Sequence, residues 1–134
     1  ERSVFTDRNV FAKTCHENGF MNEIEWGDYC DWFEWLTDEF DITPAGVIYL
    51  RADPSVSKSR IDKRGRSGEN AITMDYLKTI HKRHDDWLMN DPNTLVIDVN
   101  EEFESDTVRI ERIINKIKQY VDNIAGCQPT FLPQ

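Results

Sequence analysis

Cysteine is scarce in this sequence, and its few positions form no pattern that binds a metal or builds a disulfide framework. The three cysteines, Cys15, Cys30 and Cys127, belong to no Cys-x-x-Cys motif and no Cys/His ligand spacing. Their odd number and isolation are typical of a reducing compartment, and a cytoplasmic or mitochondrial location is expected. Any targeting segment that decides between these two compartments would precede Glu1.

Long hydrophobic runs, low-complexity tracts and internal repeats are also missing. No apolar run approaches the roughly 18 residues that a membrane span requires, and the N-terminus has no signal-peptide pattern. The chain is 39% hydrophobic, which is enough to form one hydrophobic core. Its length of 134 residues is too short for two domains of ordinary size. We therefore expect a soluble globular chain with no membrane partner.

Positive charge is in deficit, except in one short segment. There are 16 Lys and Arg residues against 25 Asp and Glu residues, and the formal net charge is -9. Such a balance argues against nucleic-acid binding, because duplex binders usually present a basic face. The segment RIDKRGRSGEN, residues 60–70, nevertheless concentrates Arg60, Lys63, Arg64 and Arg66. A compact basic spot on an acidic chain fits a small anionic ligand.

Two helices are predicted in the first third of the chain. The first is expected from about Asp7 to Gly19, a glycine of the kind that ends helices. The second is expected to begin at Asn22, with Glu25 placed three residues later to complete a capping box.

The second helix carries an apolar stripe of helical period that is expected to face the core. It comprises Trp26, Tyr29, Cys30, Phe33, Leu36 and Phe40. Trp32 and Trp35 lie off this stripe, so the helix is expected to meet two neighbours, one of which could belong to another subunit.

Two continuous apolar runs predict strands that are buried on both faces of a parallel sheet. They are AGVIYLRADP at 45–54 and TLVIDV at 94–99. Helical patterns follow each run, which favours right-handed crossovers and a helix-covered α/β sheet. Two strands are too few for such a sheet. We therefore expect partner strands before Glu1, and residues 1–134 to be the C-terminal part of a single larger α/β domain.

Three further helices are predicted around these strands. Ser55 is expected to cap the helix that enters the basic segment, and Thr73 the helix that ends near 90–92. The last helix is expected from 105 or 106 to about Ile124, followed by an irregular tail at 125–134.

The basic segment has the spacing of a phosphate-binding lid. On a helix that continues to Arg64, the side chains of Arg60, Lys63 and Arg64 share one face, and Arg66 follows Gly65 on a turn. Guanidinium groups bind phosphate oxygens bidentately and stay charged near neutral pH. The alternative is a solvated basic helix end that favours the helix dipole.

Five segments occur in a fixed order along the chain: ERSVFTDRNVFAK, EIEWGDYCDWFEWL, GVIYLRADPSVSKSRIDKRGR, ITMDYLKTIHKRHDDWL and VIDVNEEF. In this order and spacing they resemble the deoxynucleoside kinase family, and look most like its deoxycytidine and deoxyguanosine kinase branch. The resemblance implies the C-terminal part of a P-loop kinase-type sheet, with residues 60–70 as its lid. It also implies that Arg64 and Arg66 bind the phosphates of ATP and act as catalytic residues. Arg60 would lie against the base of ATP, the phosphate donor.

The resemblance assigns the acceptor site to several other positions. Glu1 would help to hold Mg2+, and Arg2 would approach the acceptor 5'-hydroxyl as a catalytic and substrate-binding residue. Asp7 would accept a hydrogen bond from the acceptor base, Phe11 would stack against that base, and Glu69 would bind the deoxyribose 3'-hydroxyl. An aspartate at position 7 favours deoxycytidine or deoxypurines over thymidine, because thymidine-preferring relatives tend to have a small residue there.

Each of these residues also has a plainer interpretation. Without the resemblance, Glu1 and Arg2 read as an exposed ion pair, Asp7 as a helix cap and Phe11 as a core aromatic. Glu101, Glu102 and Phe103 match the family's loop around the donor base, and otherwise read as a strand-end turn. Gly68 departs from the acidic residue that relatives commonly have there, which is expected to loosen the lid.

The implied activity is ATP-dependent phosphorylation of a deoxynucleoside in nucleotide salvage, by a homodimer formed through the first two helices. No G-x-x-x-x-G-K-[ST] loop occurs in these residues. The P-loop and the general base are therefore expected upstream of Glu1. Two alternatives remain open: a non-catalytic assembly subunit on the same fold, as in an accessory subunit of respiratory NADH dehydrogenase, and a nucleoside monophosphate kinase.

Overall fold

The computed structural model describes residues 3–127, which combine helices with a parallel sheet. These residues separate into two compact units. The first contains the described residues up to Pro44 together with Asp53–Asp91, and the second contains Ala45–Ala52 together with the described residues from Pro92 onward.

The first unit opens with a continuous helical segment in three parts. Helix α1 (Val4–Thr6) leads into a π-helix (Asp7–Ala12), and helix α2 (Lys13–Glu17) follows. The helical segment therefore begins earlier than predicted, and its centre is more loosely wound than an α-helix. Gly19 takes the left-handed conformation predicted for a helix end, with φ of 76°.

Helix α3 (Glu23–Glu39) begins as the sequence predicts. The Asn22 side chain accepts hydrogen bonds from the backbone of Ile24 and Glu25, while the Glu25 carboxylate accepts one from the Asn22 N–H at 2.8 Å. This reciprocal capping box satisfies backbone donors that the first turn leaves unpaired.

The predicted core stripe of α3 is only partly correct. Phe33 packs edge-on against Phe5 at 5.4 Å, and Trp26, Tyr29 and Cys30 are likewise half-buried. Leu36 and Phe40, at the far end of the helix, are exposed. The opening helical segment lies along the first half of α3, which explains why burial stops there.

Helices α4 (Pro54–Arg64) and α5 (Met74–Leu88) complete the first unit, and a 3-10 turn (Glu69–Ala71) lies between them. Asp53 is the N-cap residue of α4, so the prediction of Ser55 is wrong. The physical reason is Pro54, which suits the first helical position because it needs no hydrogen-bond partner there.

Helix α5 is capped as predicted, because the Thr73 hydroxyl accepts from the Tyr76 N–H at 3.2 Å. Helix α4 packs against α5, which also contacts the π-helix. The lid segment is therefore connected through α5 to the segment that carries Asp7 and Phe11.

The second unit contains strands β1 (Val47–Arg51) and β2 (Thr94–Asp98), which pair in parallel as predicted. The prediction that both faces of β1 are buried is wrong for this structure. Ile48 and Leu50 lie on one face and are 40% and 52% exposed. Helices cover the faces of a parallel sheet, and this face of β1 is not fully covered by the described residues.

Helix α6 (Thr107–Cys127) contacts β2 and closes the second unit. It continues three residues beyond the predicted end, so 125–127 are helical and not part of an irregular tail; residues 128–134 lie outside the described residues. The Tyr120 hydroxyl donates to the Asn93 carbonyl and accepts from the Val47 N–H at 3.0 Å. A Cβ at Gly46 would collide with that hydroxyl, which explains the glycine.

No helix among residues 3–127 has the length and apolar content that crossing a bilayer requires.

Candidate functional site

The π-helix carries both residues predicted to meet the acceptor base. Asp7 is its first residue and Phe11 its fifth, so the two lie about one turn apart on the same segment. π-helical turns are rare and occur frequently at functional sites. No pattern in the sequence predicted this winding.

Asp7 is held by a residue that the sequence did not single out for the site. The Tyr29 hydroxyl donates a hydrogen bond of 2.7 Å to Asp7 Oδ2. Burial of the phenol raises the pKa of Tyr29 well above its usual value, and the hydrogen bond to Asp7 raises it further. Tyr29 therefore remains a donor throughout the neutral pH range. The two residues are 22 positions apart, so no local sequence signal could indicate the contact.

Arg8, next to Asp7, lies among aromatic side chains of α3. Its guanidinium carbon is 5.2 Å from the centre of the Phe33 ring and 5.9 Å from that of Trp26, within the range of cation–π attraction. One terminal nitrogen is 3.8 Å from Cys30 Sγ. Arg8 thus joins the π-helix to α3 and fixes how the segment bearing Asp7 lies.

Phe11 is half-buried and meets the His84 ring edge-on, with ring centres 6.3 Å apart. His84 Nδ1 lies 2.8 Å from the Ile80 carbonyl oxygen on the same helix. The Phe11 ring is therefore in contact with α5, and its role as a stacking surface stays a prediction.

The lid contains the turn after Gly65 that the sequence predicts. Helix α4 ends at Arg64, and Gly65 takes a left-handed φ of 62°. Arg60 and Arg64 lie four residues apart on this helix, so they share a face as predicted. Arg66 is exposed beyond the turn, and its guanidinium forms no ion pair with any other described residue.

Arg64 and Glu69 form a bidentate ion pair inside the lid. Arg64 Nη2 donates to Glu69 Oε1 at 2.6 Å, and Nε donates to Oε2 at 3.2 Å. The side chains are 46% and 21% exposed, so water screens the pair only partly. Two residues predicted to bind different substrates therefore bind each other here.

Gly68 makes this pairing possible. Its φ of 89° is one that residues with a Cβ rarely adopt, and it lies inside the turn in which the Glu69 N–H donates to the Arg66 carbonyl at 3.2 Å. That turn brings Glu69 back toward the end of α4. The expectation that Gly68 only loosens the lid therefore leaves out its part in a defined turn.

In the second unit, the predicted donor-base loop follows β2. Glu102 Oε1 accepts from the backbone N–H of Phe103 and of Glu104, at 3.0 and 3.1 Å, and Arg109 of α6 forms an ion pair with Glu101. These contacts make a well-formed strand-end turn. They are compatible with a role at the donor base and do not test it.

Glu1 and Arg2, the predicted magnesium and 5'-hydroxyl ligands, lie outside the described residues. Within residues 3–127 no cluster of His, Cys, Asp or Glu side chains could hold a metal ion by itself. His81 lies 3.2 Å from Asp85 on the same helix, in keeping with a packed helix face.

The arrangement offers two kinds of chemistry in the first unit. Arg64 and Arg66 present forked cations that fit phosphate oxygens. Asp7 presents a carboxylate that is held in place by a phenol and can accept hydrogen bonds from a planar polar ligand.

Several known proteins are similar in sequence to most of this chain. A family model described as deoxynucleoside kinase matches residues 1–122. Deoxycytidine kinase 2 of Gallus gallus is 40% identical over an alignment of 134 positions, which covers 90% of this chain and 51% of the relative. Deoxycytidine kinase of Homo sapiens is 34% identical over an alignment of 137 positions, which covers 92% of this chain and 52% of the relative.

A third relative carries a different base preference in its name. The protein named "Deoxyguanosine kinase, mitochondrial" from Xenopus laevis is 34% identical over an alignment of 134 positions, which covers 90% of this chain and 51% of the relative. The chain thus spans about half the length of the curated relatives it matches.

Proposed function

Because this chain belongs to the deoxynucleoside kinase family, we propose that the full-length protein phosphorylates a deoxynucleoside in nucleotide salvage. It transfers the γ-phosphoryl group of ATP, with Mg2+, to the 5'-hydroxyl of the acceptor. The observation that carries the proposal is the arginine-rich lid of this family member, with Arg66 exposed and Arg64 held by a single carboxylate.

The lid residues bind the donor. Arg64 and Arg66 contact the phosphates of ATP, and Arg60 lies against its base. These arginine side chains fit a polyphosphate, because guanidinium groups match the spacing of phosphate oxygens and keep their charge at neutral pH. During transfer, Arg64 and Arg66 offset negative charge on the phosphoryl oxygens.

The π-helix and the residue after Gly68 bind the acceptor. Asp7 accepts a hydrogen bond from an exocyclic amine of the base, Phe11 stacks against the ring, and Glu69 binds the 3'-hydroxyl. A carboxylate held by Tyr29 is an acceptor-only group, so it favours bases that offer an amine, as in deoxycytidine or the deoxypurines, over thymidine.

The chemical step needs a base, a cation and an oriented hydroxyl. The acceptor 5'-oxygen attacks the γ-phosphorus, its proton goes to a carboxylate upstream of Glu1, and the bond to the β-phosphate oxygen breaks as ADP leaves. Arg2 positions the hydroxyl. Glu1 would help to hold Mg2+, which would neutralise negative charge on the donor phosphates.

The Arg64–Glu69 pair gives this proposal a consequence for substrate binding. The phosphates that attract Arg64 and the 3'-hydroxyl that attracts Glu69 must each compete with the pair. Binding of one substrate therefore frees the residue that serves the other, which favours joint occupancy over either substrate alone.

The family resemblance also supports a proposed assembly and location. The protein is a homodimer formed through the opening helical segment and α3, where Trp32 and Trp35 are 62% and 53% exposed. It works in the cytoplasm or in mitochondria, and one of the relatives is named as mitochondrial.

The test is phosphoryl transfer by the full-length protein from ATP with Mg2+. Deoxycytidine, deoxyguanosine, deoxyadenosine, thymidine and the matching monophosphates are offered separately. We expect turnover of a deoxynucleoside, fastest with an amine-bearing base. Turnover of monophosphates alone would indicate a monophosphate kinase. No turnover from a folded protein that binds nucleotide would favour the assembly subunit.

A further inference from the structure

We propose that Tyr29 is a positioning residue for the acceptor base, which it serves by holding the Asp7 carboxylate in one orientation. The inference rests on the proposed role of Asp7 and adds a residue that donates to it without touching the substrate. The contact that carries it is the 2.7 Å hydrogen bond from the Tyr29 hydroxyl to Asp7 Oδ2.

The hydrogen bond leaves Asp7 equipped for a second partner. A carboxylate has two oxygens with about four acceptor positions, and Tyr29 uses one of them. Asp7 itself is exposed, so the other oxygen is open to a ligand. A donor fixed on Oδ2 removes the freedom of the carboxylate to rotate, and therefore lowers the entropy lost when Oδ1 accepts from a base amine.

The Tyr29 ring is itself held by a series of stacked rings. Trp26 lies nearly parallel to Tyr29, at 10° with ring centres 5.7 Å apart, and His16 stacks on Trp26 at 9° with ring centres 5.0 Å apart. Glu23 Oε1 lies 3.1 Å from His16 Nε2 and adds a polar contact to the series. A stacked phenol has few alternative orientations, so its hydroxyl is aimed at Asp7 before any substrate arrives.

The electrostatic surroundings keep Tyr29 in the donor form. Burial raises the pKa of its phenol, and Asp7 raises it further, whereas the positive charge of Arg8 acts in the opposite direction. The pKa lies above its ordinary value on balance, so Tyr29 is protonated across the range in which a kinase works.

The first test is the acceptor preference of a Tyr29→Phe variant of the full-length protein. Phenylalanine keeps the stacked ring and removes only the donor. We expect kcat/KM for the preferred amine-bearing deoxynucleoside to fall about tenfold, the usual effect of losing a hydrogen bond to a charged group. The loss should be in KM, and thymidine turnover should be unchanged, so the ratio between the two acceptors falls by the same factor.

A matched control is Tyr120→Phe, which removes a tyrosine hydroxyl that binds only backbone groups in the second unit. It should lower the melting temperature and leave the acceptor ratio as in the wild type. A fall in the ratio with Tyr120→Phe as large as with Tyr29→Phe would overturn the inference, because it would show a general response to lost stability.

A double-mutant cycle with Asp7→Asn separates this inference from the proposed function. If Tyr29 acts through Asp7, Tyr29→Phe should change the ratio little once Asp7→Asn is present. If Asp7→Asn lowers the ratio while Tyr29→Phe does not, the function stands and the role of Tyr29 is wrong. If no deoxynucleoside is turned over by the wild type, the function itself fails.

If the Tyr29→Phe variant does not fold, Asp7→Glu tests the geometry of the hydrogen bond between Tyr29 and Asp7. Asp7 is exposed, so the longer side chain fits without disturbing the core. The added methylene moves the charged group away from its hydrogen bond with Tyr29, and we expect the acceptor ratio to fall. A ratio equal to that of the wild type would overturn the inference.

Discussion

At the scale of single residues, Arg64 is bound by the residue that is proposed to hold the acceptor sugar. Both nitrogens on one edge of its guanidinium donate to Glu69. Removal of Arg64 should therefore have two opposite effects. The transferring phosphoryl group loses a cation, whereas Glu69 becomes available to the 3'-hydroxyl of the deoxyribose.

Arg64→Ala tests this directly. We expect kcat to fall about 100-fold, as when one preorganised charge donor is removed from a transition state. KM for the deoxynucleoside should stay the same or decrease, because Glu69 no longer has to leave an ion pair. Steady-state kinetics of the full-length protein measures both values.

Lys63→Ala is the matched control for Arg64→Ala. Lys63 is an exposed cation in the last turn of the same helix, and no substrate contact is proposed for it. Its loss should leave kcat within about twofold of the wild type, as expected for a screened surface charge. A kcat of Arg64→Ala as high as that of Lys63→Ala would contradict the proposed lid.

The sequence predicted the backbone geometry of the lid and not the partners of its side chains. The helical spacing of Arg60 and Arg64 and the turn at Gly65 follow from rules that act over four residues, and the structure confirms them. The contacts of Asp7 with Tyr29 and of Arg64 with Glu69 depend on tertiary structure and on the local turn. Neither is encoded in a spacing, so the sequence could not indicate them.

At the scale of elements, two glycines respond in opposite ways to an added side chain. Gly68 has a φ of 89° inside the lid turn, whereas a Cβ at Gly27, within α3, would meet no atom of the described neighbouring residues within 4 Å. An added Cβ is therefore strained at the first position and unhindered at the second.

We expect Gly68→Ala to open the lid turn and Gly27→Ala to strengthen α3. Hydrogen exchange of the Glu69 amide should accelerate about tenfold in Gly68→Ala, because left-handed backbone costs a residue with a Cβ about 1–2 kcal/mol. Gly27→Ala should leave that amide unchanged and raise the free energy of unfolding by about 0.5–1 kcal/mol. Unaltered exchange in Gly68→Ala would show that the turn does not depend on glycine.

The elements themselves were predicted where local rules dominate. The capping box at Asn22, the Thr73 cap and both strands are as expected, because each depends on neighbouring residues. The π-helix was not predicted, since its wider winding has no composition signal. The burial of Ile48 and Leu50 was predicted wrongly. An apolar run indicates that a strand can be buried, but it does not indicate which other elements pack over its faces.

At the scale of the whole molecule, helix α3 carries two exposed tryptophan side chains, Trp32 and Trp35. The Trp32 and Trp35 rings meet edge-on at 5.5 Å, and both are more than half exposed. Tryptophan is among the residue types most enriched at the energetic centres of protein interfaces. We propose this face of α3 as the surface through which the homodimer forms.

Trp32→Lys should dissociate that dimer. Replacing a central tryptophan commonly costs at least about 2 kcal/mol, so the dimer dissociation constant should rise about 30-fold or more. Sedimentation equilibrium of the full-length protein over a range of concentrations measures this constant.

Val108→Lys provides the control for a charge placed on an exposed apolar position. Val108 is 63% exposed on α6, outside the opening helical segment and α3, and its replacement should not affect association. If both variants weaken the dimer equally, the interface is not confined to α3. If the wild type is a monomer at every concentration, Trp32 and Trp35 are not a dimer surface. Dissociation by Trp32→Lys alone would place the interface on α3, because the two variants differ in which exposed apolar position receives the charge.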